Sequence, residues 1–289
     1  CERVACADIV RENAETFAET FDLPEGAVFE DYREMLQSAE PDVVSVCTPV
    51  PTHADLVVGA AETGVPGAIH CEKPMADQFE DCRRMVTACE EAGIQLTFNH
   101  QRRFAPPRRE AKRILDRGDI GELQRVEMES KNLFDWGTHL VDLCNYYNDE
   151  HAAEWVLCGL DYSHEDVRYG AHNESQSVAV WEYENGVPCL ATGHYEWGVD
   201  AIGAQSRLVG SEGTVEVYPD DDTPLRVRRA GDAAPEEPEF EEADLYYRSM
   251  RHVVECLDAG EEPTTSGRKA LRATGIIFGA WESSRRRGR

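Results

Sequence analysis

Along the first hundred residues, short apolar runs alternate with longer stretches in which apolar positions recur every three or four residues. The run ERVACAD (2–8) reads as a strand, and RENAETFAETF (11–21) as a helix with Ala14, Phe17, Ala18 and Phe21 on one face. DVVSVCTP (42–49) is a continuous apolar run, the pattern of a strand buried on both faces of a parallel sheet. HADLVVGAAETG (53–64) predicts a helix ended by Gly64, and GAIHCEKP (67–74) the next strand. DQFEDCRRMVTACEEAG (77–93) predicts a helix opened by an Asp77/Glu80 capping pair and closed by Gly93, and IQLTFN (94–99) returns as a strand. Strictly alternating strands and helices predict a doubly wound α/β domain over residues 1–100.

Beyond residue 100 the rhythm changes. PPRREAKRILDRGDIG (106–121) reads as an amphipathic helix running into a turn, ELQRVEMES (122–130) as a strand, and DWGTHLVDLCNYY (135–147) as a helix. Strand-like runs separated by turn signals follow: AEWVLCGLDY (153–162), SQSVAVWEYENG (175–186), VPCLATGHYEW (187–197), QSRLVGSEG (205–213) and TVEVY (214–218). Residues 219–243, rich in Asp, Glu and Pro, read as a solvated loop, and two helices over 244–259 and 266–285 finish the chain. Residues 101–289 are thus expected to form an α+β domain with a large, mainly antiparallel open sheet, its last helix packing back on the first domain.

Charge narrows the function classes. The formal net charge is −27 and the pI about 4.6, a field that repels phosphate backbones and argues against nucleic-acid binding. Only four of the 29 cationic side chains are lysines. Spread acidity with scarce lysine suits a protein kept soluble in concentrated salt, and also an acidic protein from an arginine-rich, GC-biased genome. No apolar run reaches the ~18 residues that span a membrane. The ten cysteines are scattered with no C-x-x-C pair, which predicts reduced thiols in a cytoplasmic protein, and no His/Cys group has zinc spacing.

A doubly wound sheet that binds a dinucleotide normally opens with a strand and a G-x-G-x-x-G turn, followed ~20 residues later by an acid for the ribose. None of the 22 glycines makes a G-x-G, yet Asp8 ends a strand that leads directly into a helix. If Asp8 is that acid, the glycine loop belongs upstream of Cys1, and the chain is expected to lack its first strand; the absent initiating Met agrees. The alternative is a complete protein that never bound a dinucleotide.

Four motifs then occur in register: VCTPVPTHADL (46–56), HCEKPMA (70–76), NHQRRFAP (99–106) with GDIGEL (118–123), and DWGTHLVDL (135–143). Across nearly all of the chain they resemble the Gfo/Idh/MocA family, relatives of glucose–fructose oxidoreductase and inositol dehydrogenase. The resemblance implies a Rossmann domain, a C-terminal open-sheet domain, and hydride transfer between NAD, or NADP, and a sugar or polyol. Lys73, at the carboxyl end of a parallel strand, is placed to hydrogen-bond the reacting hydroxyl or the nicotinamide ribose; whether the Lys73–Pro74 bond is cis stays open. By resemblance His139 is the acid/base and Asp135 its partner, with Asp142 structural.

The cofactor contacts expected from the resemblance are Asp8, Thr48, Pro49, His53, Glu72 and Lys73. Val50 replaces the commoner Asn after the Thr-Pro, which removes one polar contact. Asp8 favours NAD, since a carboxylate repels a 2′-phosphate, while Arg11 nearby leaves NADP open. Asn99, Arg103 and Trp136 are the candidate substrate contacts, with one of Arg102 and Arg103 expected in an ion pair instead; His194 also stands as a pocket candidate. In relatives the open sheet of the second domain commonly forms subunit interfaces, so the resemblance implies a homo-oligomer. The rival reading is a non-catalytic sugar or nucleotide sensor on the same scaffold.

Overall fold

A computed structural model describes residues 1–164, 166–194 and 202–287. The chain divides into two compact units: Cys1–Phe98 with Val253–Gly267, and Asn99–His252 with Arg268–Arg289.

The first unit runs β1 (Cys6–Ala7), α1 (Arg11–Thr20), β2 (Val28–Phe29), α2 (Tyr32–Ala39), β3 (Val43–Val46), α3 (His53–Thr63), β4 (Ala68–Cys71), α4 (Phe79–Ala92) and β5 (Gln95–Phe98). β1 and β2 form a parallel pair, and β3-β4-β5 a three-stranded parallel sheet in chain order, each step crossed by a helix. Gly64 and Gly93 end α3 and α4 in the left-handed region, at φ of +64° and +69°, where a side chain would be strained. Leu36, Val57, Ile69, Met85 and Phe98 fill the core. The chain returns to this unit late: Thr97 bridges Ser266, Phe98 N donates to Thr265 O at 3.1 Å, and Gln95 Nε2 donates to Val253 O at 2.9 Å.

Three expectations are corrected here. The first strand shrinks to two residues, and α1 buries only Ala14, its Phe17 and Phe21 stacking on each other at 4.5 Å. β3 is not buried on both faces, because it is an edge strand of its sheet; Ser45 is exposed and Val43 and Val44 half-buried. The N-cap of α4 is Gln78, without a side-chain cap, so Glu80 and Asp81 serve the first turn through the helix dipole instead.

The second unit contains α5 (Pro106–Asp116), β6 (Leu123–Ser130), α6 (Gly137–Tyr147), β7 (Ala153–Asp161), β8 (Asp166–Arg168), β9 (Ala171–Asn173), β10 (Gln176–Tyr183), β11 (Pro188–His194), β12 (Ser206–Gly210), β13 (Gly213–Val217) and β14 (Leu225–Arg229). α7 (Leu245–Ala259) is divided between the units at Val253, and α8 is Gly267–Arg285. Seven strands form one sheet in the order β14-β13-β12-β6-β11-β10-β7, antiparallel throughout except for the parallel β6–β11 pair. β8 and β9 make a separate hairpin. Trp181, Tyr183, Tyr147, Phe134 and Met128 lie in the core.

The solvated loop over 219–243 is also corrected: β14 forms inside it, and Val227 bridges Glu236. Leu225 and Val227 alternate with arginines, so the strand buries one face and solvates the other. Within the second unit, the final helix packs against β7 and Phe134. Ser283 and Ser284 Oγ accept from the main chain of Cys158 and Leu160 on β7, each at 3.0 Å, and Phe278 and Trp281 stack on Phe134. Of the predicted elements, the last three residues of VPCLATGHYEW lie outside the described residues.

Candidate active site

In the first unit, the candidate residues collect at the carboxyl ends of parallel strands. β4 ends at Cys71; Glu72 N donates to Val46 O at 2.9 Å and Glu72 Oε2 accepts from Lys73 N at 3.3 Å. The Lys73–Pro74 peptide is cis, and Lys73 is half-buried while Pro74, Met75 and Ala76 are buried. His53, at the start of α3, is fully buried. Its Nδ1 lies 3.0 and 3.1 Å from the carbonyl oxygens of Pro74 and Met75, and its Nε2 lies 2.9 Å from Thr48 O.

Whichever tautomer is present, this ring ties the β3–α3 loop to the segment just after Lys73. His53, an expected cofactor contact, has its side chain enclosed and both ring nitrogens against main-chain carbonyls. Thr48 and Pro49 are exposed at the end of β3. Asp8 follows β1, half-exposed, with Oδ1 accepting from Val10 N at 2.8 Å and Oδ2 from Asn13 Nδ2 at 3.3 Å, so it also caps the entry to α1.

In the second unit, Asp135 and His139 are both 4% exposed. His139 lies on α6, but Asp135 precedes the helix in a turn rather than on its face. Four groups hold that turn. Asn132 Oδ1 accepts from Trp136 N at 2.8 Å, and Asn173 Oδ1 accepts from Asp135 N at 3.1 Å. Glu174, 1% exposed, accepts from Leu133 N through a short hydrogen bond. Gly137 packs so closely that a Cβ there would fall 2.3 Å from Asn132 O. Burial pushes the Glu174 carboxyl up to about 7, against the hydrogen bonds that favour its ionised form.

His139 meets His100 edge to face, ring centroids 5.7 Å apart, and His100 Nδ1 is 3.8 Å from Asp142 Oδ2. Asp142 is occupied by Arg103, whose Nε and Nη2 grip the two carboxylate oxygens at 2.6 and 2.7 Å, while Nη1 donates to Glu150 at 2.5 Å. Arg103 was expected to touch substrate, but its side chain is 1% exposed and directed to these two acids. Burial works against its charge, and the two carboxylates outweigh it, raising its pKa above the ordinary arginine value. Its guanidinium thus joins Asp142 on α6 to Glu150. Glu150 in turn is pushed up by burial despite Arg103.

Arg102, by contrast, lies half-buried with its guanidinium carbon 5.0 Å from the centre of the Trp136 ring. Asn99 is buried at the start of this unit. His194 Nε2, at the end of β11, is 3.3 Å from Glu129, whose other oxygen takes the main-chain N–H groups of Ile202 and Gly203. Sequence reasoning missed Asn132, Asn173, Glu174, Glu150 and His100 as supports. Only His100 stood inside a quoted motif; Asn173 and Glu174 lie about forty residues from the turn they hold, so no local spacing signals them.

Comparison with known proteins places this arrangement. Residues 2–100 match the family model GFO_IDH_MocA, an oxidoreductase family with an NAD-binding Rossmann fold, and residues 132–289 match its C-terminal alpha/beta domain. The chain is 26% identical to a D-apiose dehydrogenase of Paraburkholderia graminis, over 98% of this chain and 81% of that protein. It is equally 26% identical to a D-xylose 1-dehydrogenase [NADP(+)] of Haloarcula marismortui, over 98% of this chain and 84% of the relative. In structure it resembles an aldose–aldose oxidoreductase of Caulobacter crescentus solved with glycerol, at a TM-score of 0.84, 24% identity, and coverage of 100% of this chain and 90% of the other. The chain belongs to the Gfo/Idh/MocA oxidoreductase family.

Proposed function

We propose that this protein is an NAD-dependent dehydrogenase that oxidises a secondary hydroxyl of a sugar or polyol, or reduces the corresponding carbonyl. The observation that carries the reading is the buried, multiply anchored turn and helix bearing Asp135 and His139. A buried imidazole and an enclosed carboxylate on one anchored turn and helix suit a hydroxyl proton that must leave as hydride departs. Lys73 Nζ hydrogen-bonds the reacting oxygen and favours its developing negative charge. His139 takes the proton, and Asp135 holds a substrate hydroxyl or orients the imidazole. When bound, the nicotinamide supplies the hydride acceptor.

The donor set fits the two ends of a dinucleotide: a half-exposed carboxylate after β1 for the ribose, and a hydroxyl and an ammonium after β3 and β4 for the nicotinamide half. No phosphate-cradling glycine turn is among the described residues. Asp8 favours NAD over NADP, and the exposed Arg11 pairs with Glu15 at 2.7 Å and Glu30 at 3.6 Å. Relatives named for D-apiose and D-xylose support a sugar as substrate.

Two further parts of the reading concern assembly and setting. Trp155, Leu157 and Val178 are exposed side by side on β7 and β10, which supports a homo-oligomer built on this sheet face. All ten cysteines are free thiols, which supports a reducing compartment, and the acidic surface supports a salt-rich one. No described helix is long and apolar enough to cross a membrane.

The test is reduction of NAD, followed at 340 nm, over a panel of aldoses and cyclic polyols. Lys73→Ala and His139→Ala should each lower kcat by roughly 10²–10⁴ with an unchanged circular dichroism spectrum. Ligand binding without turnover, unaffected by either substitution, would replace the enzyme with the sensor.

A further inference from the structure

The second unit holds a cluster of positive charge that the reading above leaves unused. Cations in this chain are outnumbered by acids, 29 to 56, and several of the buried or half-buried ones are paired with carboxylates. Arg103 grips Asp142 and Glu150, Arg207 pairs with Glu127 and Glu216, and Arg226 with Glu216, Asp220 and Glu237. Arg226 also lines a cavity of about 430 Å³ with Thr214, Glu216, Arg228, Pro235 and Glu237, where carboxylates already answer the charge.

Arg102, Arg108 and Lys131 differ. Among the described residues, no carboxylate pairs with any of the three within 4.0 Å. Arg102 Cζ and Lys131 Nζ lie 5.0 and 4.7 Å from the centre of the Trp136 ring, next in sequence to Asp135. Arg108 is 3% exposed; its Nη2 donates to Gln205 Oε1 at 2.7 Å, its guanidinium lies 5.2 Å from the Tyr218 ring centre, and its Nη1 meets no described hydrogen-bond partner. Burial first, and the like charge of Arg108 second, lower Arg102 to about 10, with Tyr218, Tyr246 and Asp135 only partly offsetting them. In a chain this acidic, three clustered cations without carboxylates are an electrostatic vacancy of one sign.

We propose that Arg102, Lys131 and Trp136, backed by Arg108, form an anion-binding subsite beside Asp135, so that the substrate is a hydroxyl compound carrying a carboxylate or a phosphate. The proposal deepens the dehydrogenase reading and rests on it for the word substrate. A guanidinium stacked on an indole keeps its in-plane N–H groups open, the geometry that carboxylate and phosphate oxygens accept in pairs. Lys131, exposed, adds a mobile point charge at the rim. The bound anion would offset the repulsion between Arg102 and Arg108, so affinity is gained where the unliganded protein is least satisfied.

The test compares matched pairs on the full chain: D-galactose against D-galacturonate, and D-glucose against D-glucose 6-phosphate, in steady-state NAD reduction with the wild type, Arg102→Met and Lys131→Met. The expected result is a KM at least tenfold lower for the charged member of one pair, with each variant raising that KM at least tenfold and the neutral partner's at most threefold. Preference for galacturonate identifies a carboxylate, and preference for glucose 6-phosphate a phosphate. Turnover of neutral sugars with no charge preference, or with both members affected alike, overturns the subsite and leaves the dehydrogenase standing. Absence of turnover on these four compounds and on the whole aldose and polyol panel sinks the dehydrogenase reading. Calorimetric titration with galacturonate and glucose 6-phosphate then decides: binding of either, weakened at least tenfold in Arg102→Met, upholds the subsite, and no binding overturns it.

Discussion

Glu174 shows how one side chain couples the site to the stability of the fold. Its carboxyl, raised from 4.5 to about 7 by burial, binds a proton more tightly in the folded chain than in the unfolded one. Ionising it therefore costs stability: the native state is favoured below the unfolded pKa, and that advantage is lost as pH rises through about 7. The shift corresponds to a cost on the order of 3 kcal/mol at pH 8. Glu174→Gln keeps an acceptor for Leu133 N and removes the titration. The variant should melt higher than the wild type at pH 8, with the difference narrowing towards pH 5. Equal melting temperatures at both pH values would show that Glu174 does not titrate in this window.

At the scale of the element, the segment from Asn132 to Gly137 is defined by close approach. A Cβ at position 137 would press on the Asn132 carbonyl, so the helix can begin there only with glycine. Gly137→Ala should cost ~1–3 kcal/mol in urea unfolding, and lower kcat more than it raises KM, because the strain is relieved by moving Asp135. A variant with wild-type kcat would detach this turn from catalysis. The β7–β10 face makes a separate prediction. Trp155 and Leu157 are 42% and 53% exposed, and Val178 57%, on neighbouring strands. Leu157→Asp should convert the oligomer to monomer in light scattering, with its fold intact; a wild type already monomeric at micromolar concentration would remove the interface from consideration.

At the scale of the whole molecule, the net charge of −27 sets the response to salt. Raising ionic strength from ~0.1 to ~1 M shortens the screening length from ~10 to ~3 Å, which relieves self-repulsion among exposed acids. The buried pairs, Arg103 with Asp142 above all, are little affected. The melting temperature should climb steadily with KCl into the molar range. A flat or falling curve would mark the acidity as incidental.

The sequence by itself determined most of the elements and the identity of the chemical groups. Apolar spacing located α3, α4, α6 and α8, Gly64 and Gly93 marked helix ends, and the motifs around Lys73 and His139 singled out the candidate side chains, because each signal is local. It overreached where burial depends on a neighbour, as at β3, whose apolar run became an edge strand, and at β14, hidden in an acidic segment. Tertiary structure alone decided that Arg103 serves Asp142, that His53 locks the chain beyond Lys73, and that Asn173 and Glu174 hold a turn 38 and 41 residues away. Among the described residues, it also left Arg102 and Arg108 without a carboxylate within 4.0 Å while their neighbour Arg103 took two. A side chain's partner is fixed by sheet register and packing between distant segments, and no period or spacing along one chain encodes which carboxylate will stand opposite which cation.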